Sequence, residues 1–472
     1  MKRLVVSLSL CFASVATAAP RTPYGGDARV YVFGRPIEVL PENAAGFADA
    51  TVQGLVYERL YALDASGDLV PVLAAGPPEV AGLVVSVPLR PQVQLHDGRV
   101  LTASMVAEAF VRHATTDARA SYVTALTLDG DGRPRVRSGS GQVHFQLTTS
   151  HTDFARLLAS PHAAVDVPAV GRAQTIGSGP YRFHSRDARG VYLFAPFDAY
   201  RGGRPFLDGV EVRPYASRFG AAALTKNAAT TLVFGIPDGS DRASPRVEVD
   251  GAIQPRAETL VLAIGASVAD RDALAQVIDG ALNRQRLVRR FLGDDARATQ
   301  ALLDGVTVEA REPKAPTSSR SLALLVSRDG RAGHRFAERV QLDLLRAGIT
   351  VRIERVSPER LEARRRGQDF ELLIDTLAPV VPASPRPVDD LHALWSIASM
   401  FAQPQLVRAA DVERFERSRR PAEVVAALEA SFRRSLGLVP IARRTPSVAR
   451  TDTLHGVTSR PSGAMDLSDA HR

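Results

Sequence analysis

Few side chains in this sequence have the types and spacing that enzyme chemistry requires. A Gly-x-Ser-x-Gly nucleophile turn, a Gly-Lys-Ser/Thr phosphate loop and a His-Glu-x-x-His zinc motif are all absent from its 472 residues. The ten histidines are scattered, and we consider only His144 and His151 as a metal-binding pair; the simpler interpretation is two solvated side chains. We therefore predict no catalytic residue, no metal site and no cofactor.

Two further patterns have simpler structural interpretations. Gly177 and Gly179 could form an anion-binding nest, but Pro180 removes one of the amides that such a nest uses, which favours a tight turn before a strand. The acidic pairs at 294–295 and 389–390 lie in what we interpret as polar loops. Adjacent carboxylates in such loops are usually solvated, so neither pair indicates catalysis.

The N-terminal residues have the layout of a secretory signal. A positive start at residues 2–3 precedes an apolar stretch over 4–15, and small residues stand at 16 and 18. We predict cleavage after Ala18 and a periplasmic product; an ordinary apolar helix is the alternative.

Cysteine and charge content set further limits. Cys11 is the only cysteine, and Leu10 stands where a lipoprotein signal has a small residue, so we expect a product with no lipid anchor and no disulfide.

The net charge of +8 comes from 59 basic and 51 acidic residues spread along the chain. The longest basic run, 364–366, lies in a predicted helix, and a solvated helix face is its simplest interpretation. We therefore predict no nucleic-acid partner.

Hydrophobic periodicity predicts a mixed α/β chain. In the first half we predict helices over 49–61, after Thr102 and, capped by Thr152, through 158, with strands at 28–33, 83–89, 143–147, 181–185, 190–195 and 209–214. In the second half, strands at 258–264, 321–327, 349–356 and 370–377 alternate with helices around 274–282, 334–346 and from 357. This alternation is typical of a parallel-sheet α/β domain. We interpret 378–387 as a loop and 421–436 as a final helix.

Four stretches contain motifs in a characteristic order. They are VYERL at 56–60 with the following 64–74; 89–106 with LHDG at 95–98; GSGPY at 177–181 with 198–210; and, more weakly, the helix at 272–287 with 438–441. In this order they resemble the family 5 extracellular solute-binding proteins, the peptide- and nickel-binding group that serves ABC importers. Each motif has turn or capping chemistry of its own, so we expect the motifs to build the scaffold and not to contact ligand.

The resemblance implies a periplasmic-binding-protein-like clamshell of two α/β lobes, with an extra subdomain in the first lobe. It divides the chain into a signal peptide at 1–18, a discontinuous first lobe at 19–46, 171–256 and 437–472, an extra subdomain at 47–170 and a second α/β lobe at 257–436. The chain would cross between the lobes, and bend as they close, at 254–256 and 435–438.

The resemblance also implies a function. The protein would capture a small ligand, a peptide or something peptide-like, in the cleft between the lobes and deliver it, as a monomer, to an ABC permease and its ATPase. Peptide binders of this family carry a Trp-x-x-Asp loop whose carboxylate pairs with the amino terminus of the peptide; here Thr376 and Pro379 stand in those positions. Asp375 and Thr376 are our candidate ligand contacts, and a peptide with a free amine is disfavoured.

Two other functions stay open. A sensory or scaffold protein of the same fold would differ only in its partners, and neighbouring permease and ATPase genes would favour transport. A secreted hydrolase would need a nucleophile or metal constellation that the sequence does not offer.

Overall fold

Two six-stranded sheets form the framework of the chain in the computed structural model. The structure describes residues 22, 24–33, 39–40, 47–64, 66–116, 122–170, 175–215, 230–234, 257–292, 296–304, 306, 308, 320–328, 333–379, 386–444, 448–459 and 464–472. The first sheet contains, in spatial order, Tyr181–Arg186, Tyr192–Pro196, Gly209–Tyr215, Asp27–Phe33, Thr231–Phe234 and Val448–Arg450. The second sheet contains Ala296–Ala298, Leu438–Arg444, Glu258–Ile264, Leu372–Leu377, Arg320–Ser327 and Ile349–Val356. The strands predicted from periodicity agree with these bounds to within a few residues.

Both sheets are mixed in direction. In the first sheet, Asp27–Phe33 pairs in parallel with both of its neighbours. In the second, Arg320–Ser327 does the same, but Glu258–Ile264 is antiparallel to the strands on both sides. The prediction of a parallel sheet is therefore wrong for Glu258–Ile264. The alternation rule applies to strands joined by a single helix, and several elements separate this strand from each of its neighbours.

A small subdomain, residues 60–168, is built around a four-stranded sheet. Its strands lie in the order Glu79–Ala81, Val84–Pro88, Gln142–Gln146 and Val136–Ser138. Helix Ala103–Thr116 packs on this sheet through Phe110, whose ring lies 5.0 Å from that of Phe145. The Thr102 hydroxyl accepts a hydrogen bond from the Met105 amide at 3.3 Å, which confirms the predicted cap. Three short strand pairs complete the described sheet structure: Tyr61–Leu63 with Leu69–Pro71, Val167–Pro168 with Thr175–Ile176, and Thr458–Ser459 with Met465–Asp466.

The described helices fall into two groups along the chain. The first half contains Phe47–Val56, Ala103–Thr116, Phe154–Leu157 and the 3-10 turns Val123–Ala125 and Pro161–Ala163. The second half contains Arg271–Ala281, Arg284–Leu287, the π turn Val288–Leu292, Gly333–Arg346, Pro358–Arg366, Pro387–Met400, the 3-10 turn Pro404–Leu406, Ala409–Arg417 and Pro421–Ser435. None of these helices is long and apolar enough to cross a membrane.

Two helix predictions need correction, and one helix was not predicted. The helix predicted over 49–61 ends at Val56, because the following residues turn into the strand Tyr61–Leu63. Thr152 does not cap the next short helix; its hydroxyl donates to the Glu416 carboxylate at 2.7 Å. The loop predicted over 378–387 ends where a buried helix, Pro387–Met400, begins.

Three apolar cores hold these elements together. The first sheet shares one core with helix Phe47–Val56 and residues near the end of the chain, such as Leu454 and Leu467. One face of the second sheet packs on helices Arg271–Ala281 and Gly333–Arg346. Its other face packs on a helical layer, which consists of Pro387–Met400, Ala409–Arg417 and Pro421–Ser435, and this core continues into the small subdomain.

The chain passes between the two sheets twice. It leaves the first sheet after Phe234 and enters the second at Glu258, so the crossing predicted at 254–256 lies outside the described residues. The crossing predicted at 435–438 is wrong, because hydrogen bonds keep the chain in the second sheet through Leu438–Arg444. It rejoins the first sheet at Val448. The division into two lobes stays a prediction, and helix Phe47–Val56, which it assigns to the subdomain, packs on the first sheet.

Candidate functional site

The second sheet has a topological switch point between two of its parallel strands. Strand Arg320–Ser327 continues into helix Gly333–Arg346, whose Phe336 packs on one face of the sheet. The neighbouring strand Leu372–Leu377 is followed by helix Pro387–Met400, whose Leu391 packs on the opposite face. Connections that diverge to opposite faces leave a crevice at the carboxyl ends of the strands, and ligands of open α/β sheets bind there. The end of strand Leu372–Leu377 is therefore a candidate binding edge.

The first sheet offers a matching edge. Its three adjacent parallel strands end level with one another, since Phe33 lies beside Tyr215 and Val32 beside Phe234. The chain leaves this same edge after Phe234 on its way to the second sheet. A ligand held by both edges would thus lie close to a crossing of the chain.

Asp375 and Thr376 lie at the carboxyl end of strand Leu372–Leu377. Strand alternation places Asp375 on the sheet face of Leu373 and Leu377, beneath the helical layer, and Thr376 on the other. The Asp375 carboxylate accepts a hydrogen bond from Arg365 and, at 2.8 Å, from the Thr376 amide. Arg365 therefore balances the negative charge of Asp375 within the protein. The role of Asp375 as a ligand contact stays a prediction.

Arg365 is itself fixed by the helix that follows. Its Nε donates to the Met400 carbonyl at 3.2 Å, and its guanidinium carbon lies 5.9 Å from the centre of the Phe401 ring. Only 10% of its side chain is exposed. A buried guanidinium is costly without a partner of opposite charge, so Arg365 needs Asp375. Because Arg365 also contacts Met400 and Phe401, Asp375 contributes to the packing of the helical layer.

The histidine pair considered for a metal is not formed. His144 Nδ1 lies 2.8 Å from the Ser86 hydroxyl on the neighbouring strand of the small subdomain. His151 instead contacts Glu416 and His392. The short sequence distance between them concealed this separation: His144 lies in the middle of strand Gln142–Gln146, and His151 follows a bend after that strand. Within the described ranges, no group of three or more His, Cys, Asp or Glu side chains is arranged to hold a metal ion.

The glycines at 177 and 179 serve close packing. A Cβ atom on Gly177 would lie 2.1 Å from the Val56 carbonyl oxygen, and one on Gly179 would lie 2.6 Å from the Leu55 carbonyl oxygen. His96 Nε2 is 3.0 Å from the Gly179 carbonyl, and the His96 amide donates to the Gly177 carbonyl at 3.0 Å. Burial lowers the pKa of His96 to about 4, so a neutral imidazole donates from Nε2.

Glu58 joins two of the sequence motifs. Its carboxylate accepts hydrogen bonds from the Ser178 hydroxyl at 2.9 Å and from Arg201 Nε at 2.8 Å. Glu58 is buried, whereas about a third of the Arg201 side chain is exposed. Together with the contacts of His96, these bonds fasten the small subdomain to the first sheet. The motif residues therefore build the scaffold, as the sequence analysis predicts.

A buried ion pair was not predicted from the sequence. Asp389 lies in the first turn of helix Pro387–Met400 and not in a polar loop, and its carboxylate accepts two hydrogen bonds from Arg156, at 3.1 and 2.6 Å. Both side chains are almost fully buried. Pro387 at the first helical position followed by two acidic residues is a helix-start signal that could have located Asp389. The other acidic pair, 294–295, lies outside the described residues.

Comparison with known proteins gives one family and many structures of the same fold. The family model of the bacterial extracellular solute-binding proteins, family 5 (middle) matches residues 68–396. The oligopeptide-binding protein AppA of Bacillus subtilis is 24% identical over 256 residues, which are 50% of this chain and 46% of AppA. The chain thus matches about half the length of this curated relative.

Two solved structures illustrate the fold. The periplasmic binding protein DppA of Helicobacter pylori, in complex with the peptide STSA, is 14% identical, with a TM-score of 0.78 over 95% of this chain and 98% of that one. NikA of Staphylococcus aureus, in complex with Ni(L-His)2, is 13% identical, with a TM-score of 0.75 over 94% and 100%. These likenesses confirm the periplasmic-binding-protein-like α/β fold that the resemblance implies. With the match over 68–396, they lead to one conclusion: this chain belongs to the bacterial extracellular solute-binding proteins, family 5.

Proposed function

We propose that this protein captures a small solute, a peptide or something peptide-like, between the carboxyl edges of its two sheets. One observation supports this most directly: two α/β sheets, each with adjacent parallel strands that end together, are joined by two crossings of the chain. Such a framework lets the edges approach and separate around a ligand while the sheets stay intact. The bound solute is then handed to an ABC permease that its ATPase drives.

The size of the ligand follows from the proteins that share the fold or family. AppA is named as an oligopeptide-binding protein, and the DppA and NikA structures hold a short peptide and a nickel–histidine complex. We propose a ligand of this size range for the present chain, with Asp375 and Thr376 at the edge that contacts it. Because Arg365 already neutralises Asp375, an uncharged or anionic end of the ligand fits this edge better than a free amine.

Export is part of the proposal. Residues 1–18 have the layout of a signal peptide, although they lie outside the described residues. The N-terminal sequence of protein recovered from the periplasmic fraction should begin at Ala19. Recovery of a cytoplasmic chain that still begins at Met1 would contradict export.

Native mass spectrometry tests the capture of a ligand. Protein purified from the periplasm without unfolding should carry one noncovalent molecule, which denaturation releases. Incubation with the folded protein should leave the released molecule chemically unchanged, because we propose binding without catalysis. A protein that turns this molecule over, and loses that activity through a point mutation, would contradict the proposal.

A further inference from the structure

A cluster of polar side chains bridges the small subdomain and the helical layer of the second sheet. We call this cluster the latch. The subdomain contributes Thr149, His151, Thr152 and Arg156, and the helical layer contributes Asp389, His392, Glu413 and Glu416. These two groups are more than 230 residues apart in the sequence and meet only through the fold.

The ion pair between Arg156 and Asp389 is the most buried part of the latch. Only 2% of the Arg156 side chain and none of the Asp389 side chain is exposed. Arg156 Nη1 also donates to the Gly67 carbonyl at 2.8 Å. The guanidinium therefore forms hydrogen bonds both within the subdomain and to the helical layer. Burying two charges in this way is tolerable only while both partners are present.

A second group of contacts surrounds His151. Its Nδ1 lies 2.8 Å from a Glu416 carboxylate oxygen, and its Nε2 lies 3.0 Å from Nε2 of His392. Thr152 donates to the same glutamate through its hydroxyl at 2.7 Å, and the Thr149 hydroxyl donates to Glu413 at 3.1 Å. Burial alone would raise the pKa of Glu416, but the hydrogen bonds from His151 and Thr152 outweigh it and lower that pKa. Glu416 thus accepts these bonds as a carboxylate near neutral pH.

The two boundaries of the small subdomain differ in kind. Toward the first sheet it is joined by the continuous chain and by backbone hydrogen bonds, such as that from the His96 amide to the Gly177 carbonyl. Toward the helical layer, it is joined by the latch, each contact of which runs through at least one side chain, and by side-chain packing in the apolar core that the two parts share. Side-chain contacts can separate and be replaced by water without unfolding either part, whereas the joint to the first sheet cannot.

We propose that the latch is a closure device: it forms when the second sheet with its helical layer swings toward the first sheet and subdomain, and it separates when they open. The inference rests on the proposed function, since it requires two parts that open and close. The latch stabilises the closed form. Its strength therefore sets how often the protein closes without a ligand.

Breaking the buried pair should favour the open form. Asp389→Asn removes the buried negative charge that balances the Arg156 guanidinium in the closed form, whereas water hydrates this guanidinium in the open form. The ratio of open to closed protein should rise on the order of a hundredfold. The distance between spin labels at Leu128→Cys in the subdomain and Leu342→Cys on helix Gly333–Arg346, both exposed sites, reports this ratio without ligand in protein that lacks residues 1–18 and hence Cys11.

A matched control lies inside the subdomain. Asp166, which is as buried as Asp389, pairs with buried His113 and with partly exposed Arg112, all within the small subdomain. Asp166→Asn should lower the melting temperature and leave the label distance unchanged. Replacing both partners of the latch pair, Arg156→Met with Asp389→Leu, removes the unpaired charge and should restore the short distance.

The outcomes of these experiments distinguish failure of the latch proposal from failure of the proposed function. If Asp389→Asn lowers the melting temperature but leaves the distance distribution as in Asp166→Asn, the interface is a permanent core and the latch proposal is wrong. If Asp389→Asn does not fold, Glu416→Gln, on the less buried side of the latch, gives a milder test with the same readout. Because these measurements need no ligand, their failure would leave the proposed function intact. A failure to find any bound solute would count against the function alone.

Discussion

At the scale of single residues, several buried carboxylates of this protein form hydrogen bonds with basic side chains. Glu58 holds Arg201, Asp166 holds His113, and Asp375 holds Arg365. These commitments explain why residue types alone gave few candidates for a binding site. The family resemblance suggested Asp375 because it lies next to the positions of the Trp-x-x-Asp loop, but its partner Arg365 comes from a neighbouring helix and could not be identified from spacing.

Asp375 can be tested for a ligand contact separately from its packing role. Asp375→Ala leaves Arg365 without its partner, and the free energy of unfolding should fall by about 3 kcal/mol. If Asp375 also contacts ligand, this variant should weaken the binding of a ligand with a cationic end, as isothermal calorimetry would measure. Arg365→Met breaks the same pair and serves as the control; equal affinity losses in both variants would assign Asp375 a packing role only.

His96 should make stability depend on pH. Burial lowers its pKa from the ordinary 6.5 to about 4, so between these values the unfolded chain takes up a proton that the folded protein does not. The free energy of unfolding should therefore fall by about 3 kcal/mol as the pH drops through this window. Urea denaturation of wild type and His96→Gln at pH 4–7 measures this dependence. Identical slopes for the two proteins would show that His96 does not titrate in this way.

At the scale of elements, the strands were predictable, whereas one buried helix was not. The strand at 258–264 is a short apolar run and the strand at 349–356 alternates buried and exposed residues near its start, and both patterns favour a strand. Helix Pro387–Met400 was missed because it is buried on nearly all sides and shows no polar face. Strand directions in the second sheet also depend on contacts between distant segments, which periodicity does not report.

The joint between helix Phe47–Val56 and the 177–181 turn gives a prediction at this scale. Gly177→Ala would place a Cβ 2.1 Å from the Val56 carbonyl and should destabilise the protein by about 1–3 kcal/mol. Gly54→Ala, in the same helix, meets nothing within 4 Å and should stabilise it by up to about 1 kcal/mol. Thermal unfolding distinguishes the two, and a Gly177→Ala variant as stable as wild type would contradict the close packing.

At the scale of the whole molecule, the order of motifs was the most informative feature of the sequence. It indicated the family and the two-sheet α/β framework before any contact was known, because turn and cap residues at fixed positions specify how the elements connect. The return crossing was placed too early. Gly437 suggests a flexible link, with a φ of +61° that suits glycine, but the chain then continues as a strand of the second sheet through Arg444. The residues that contact the ligand could not be predicted from the sequence, because this edge consists of residues from separate elements.

Closure of the two sheets around a ligand can be tested by small-angle X-ray scattering, with and without the molecule that native mass spectrometry recovers. Protein stripped of that molecule by reversible unfolding should have a larger radius of gyration than the same protein after the molecule is added back. Its melting temperature should rise on addition, since the ligand binds only the folded form. A rise in melting temperature with no change in the radius of gyration would contradict closure of the two sheets around a ligand.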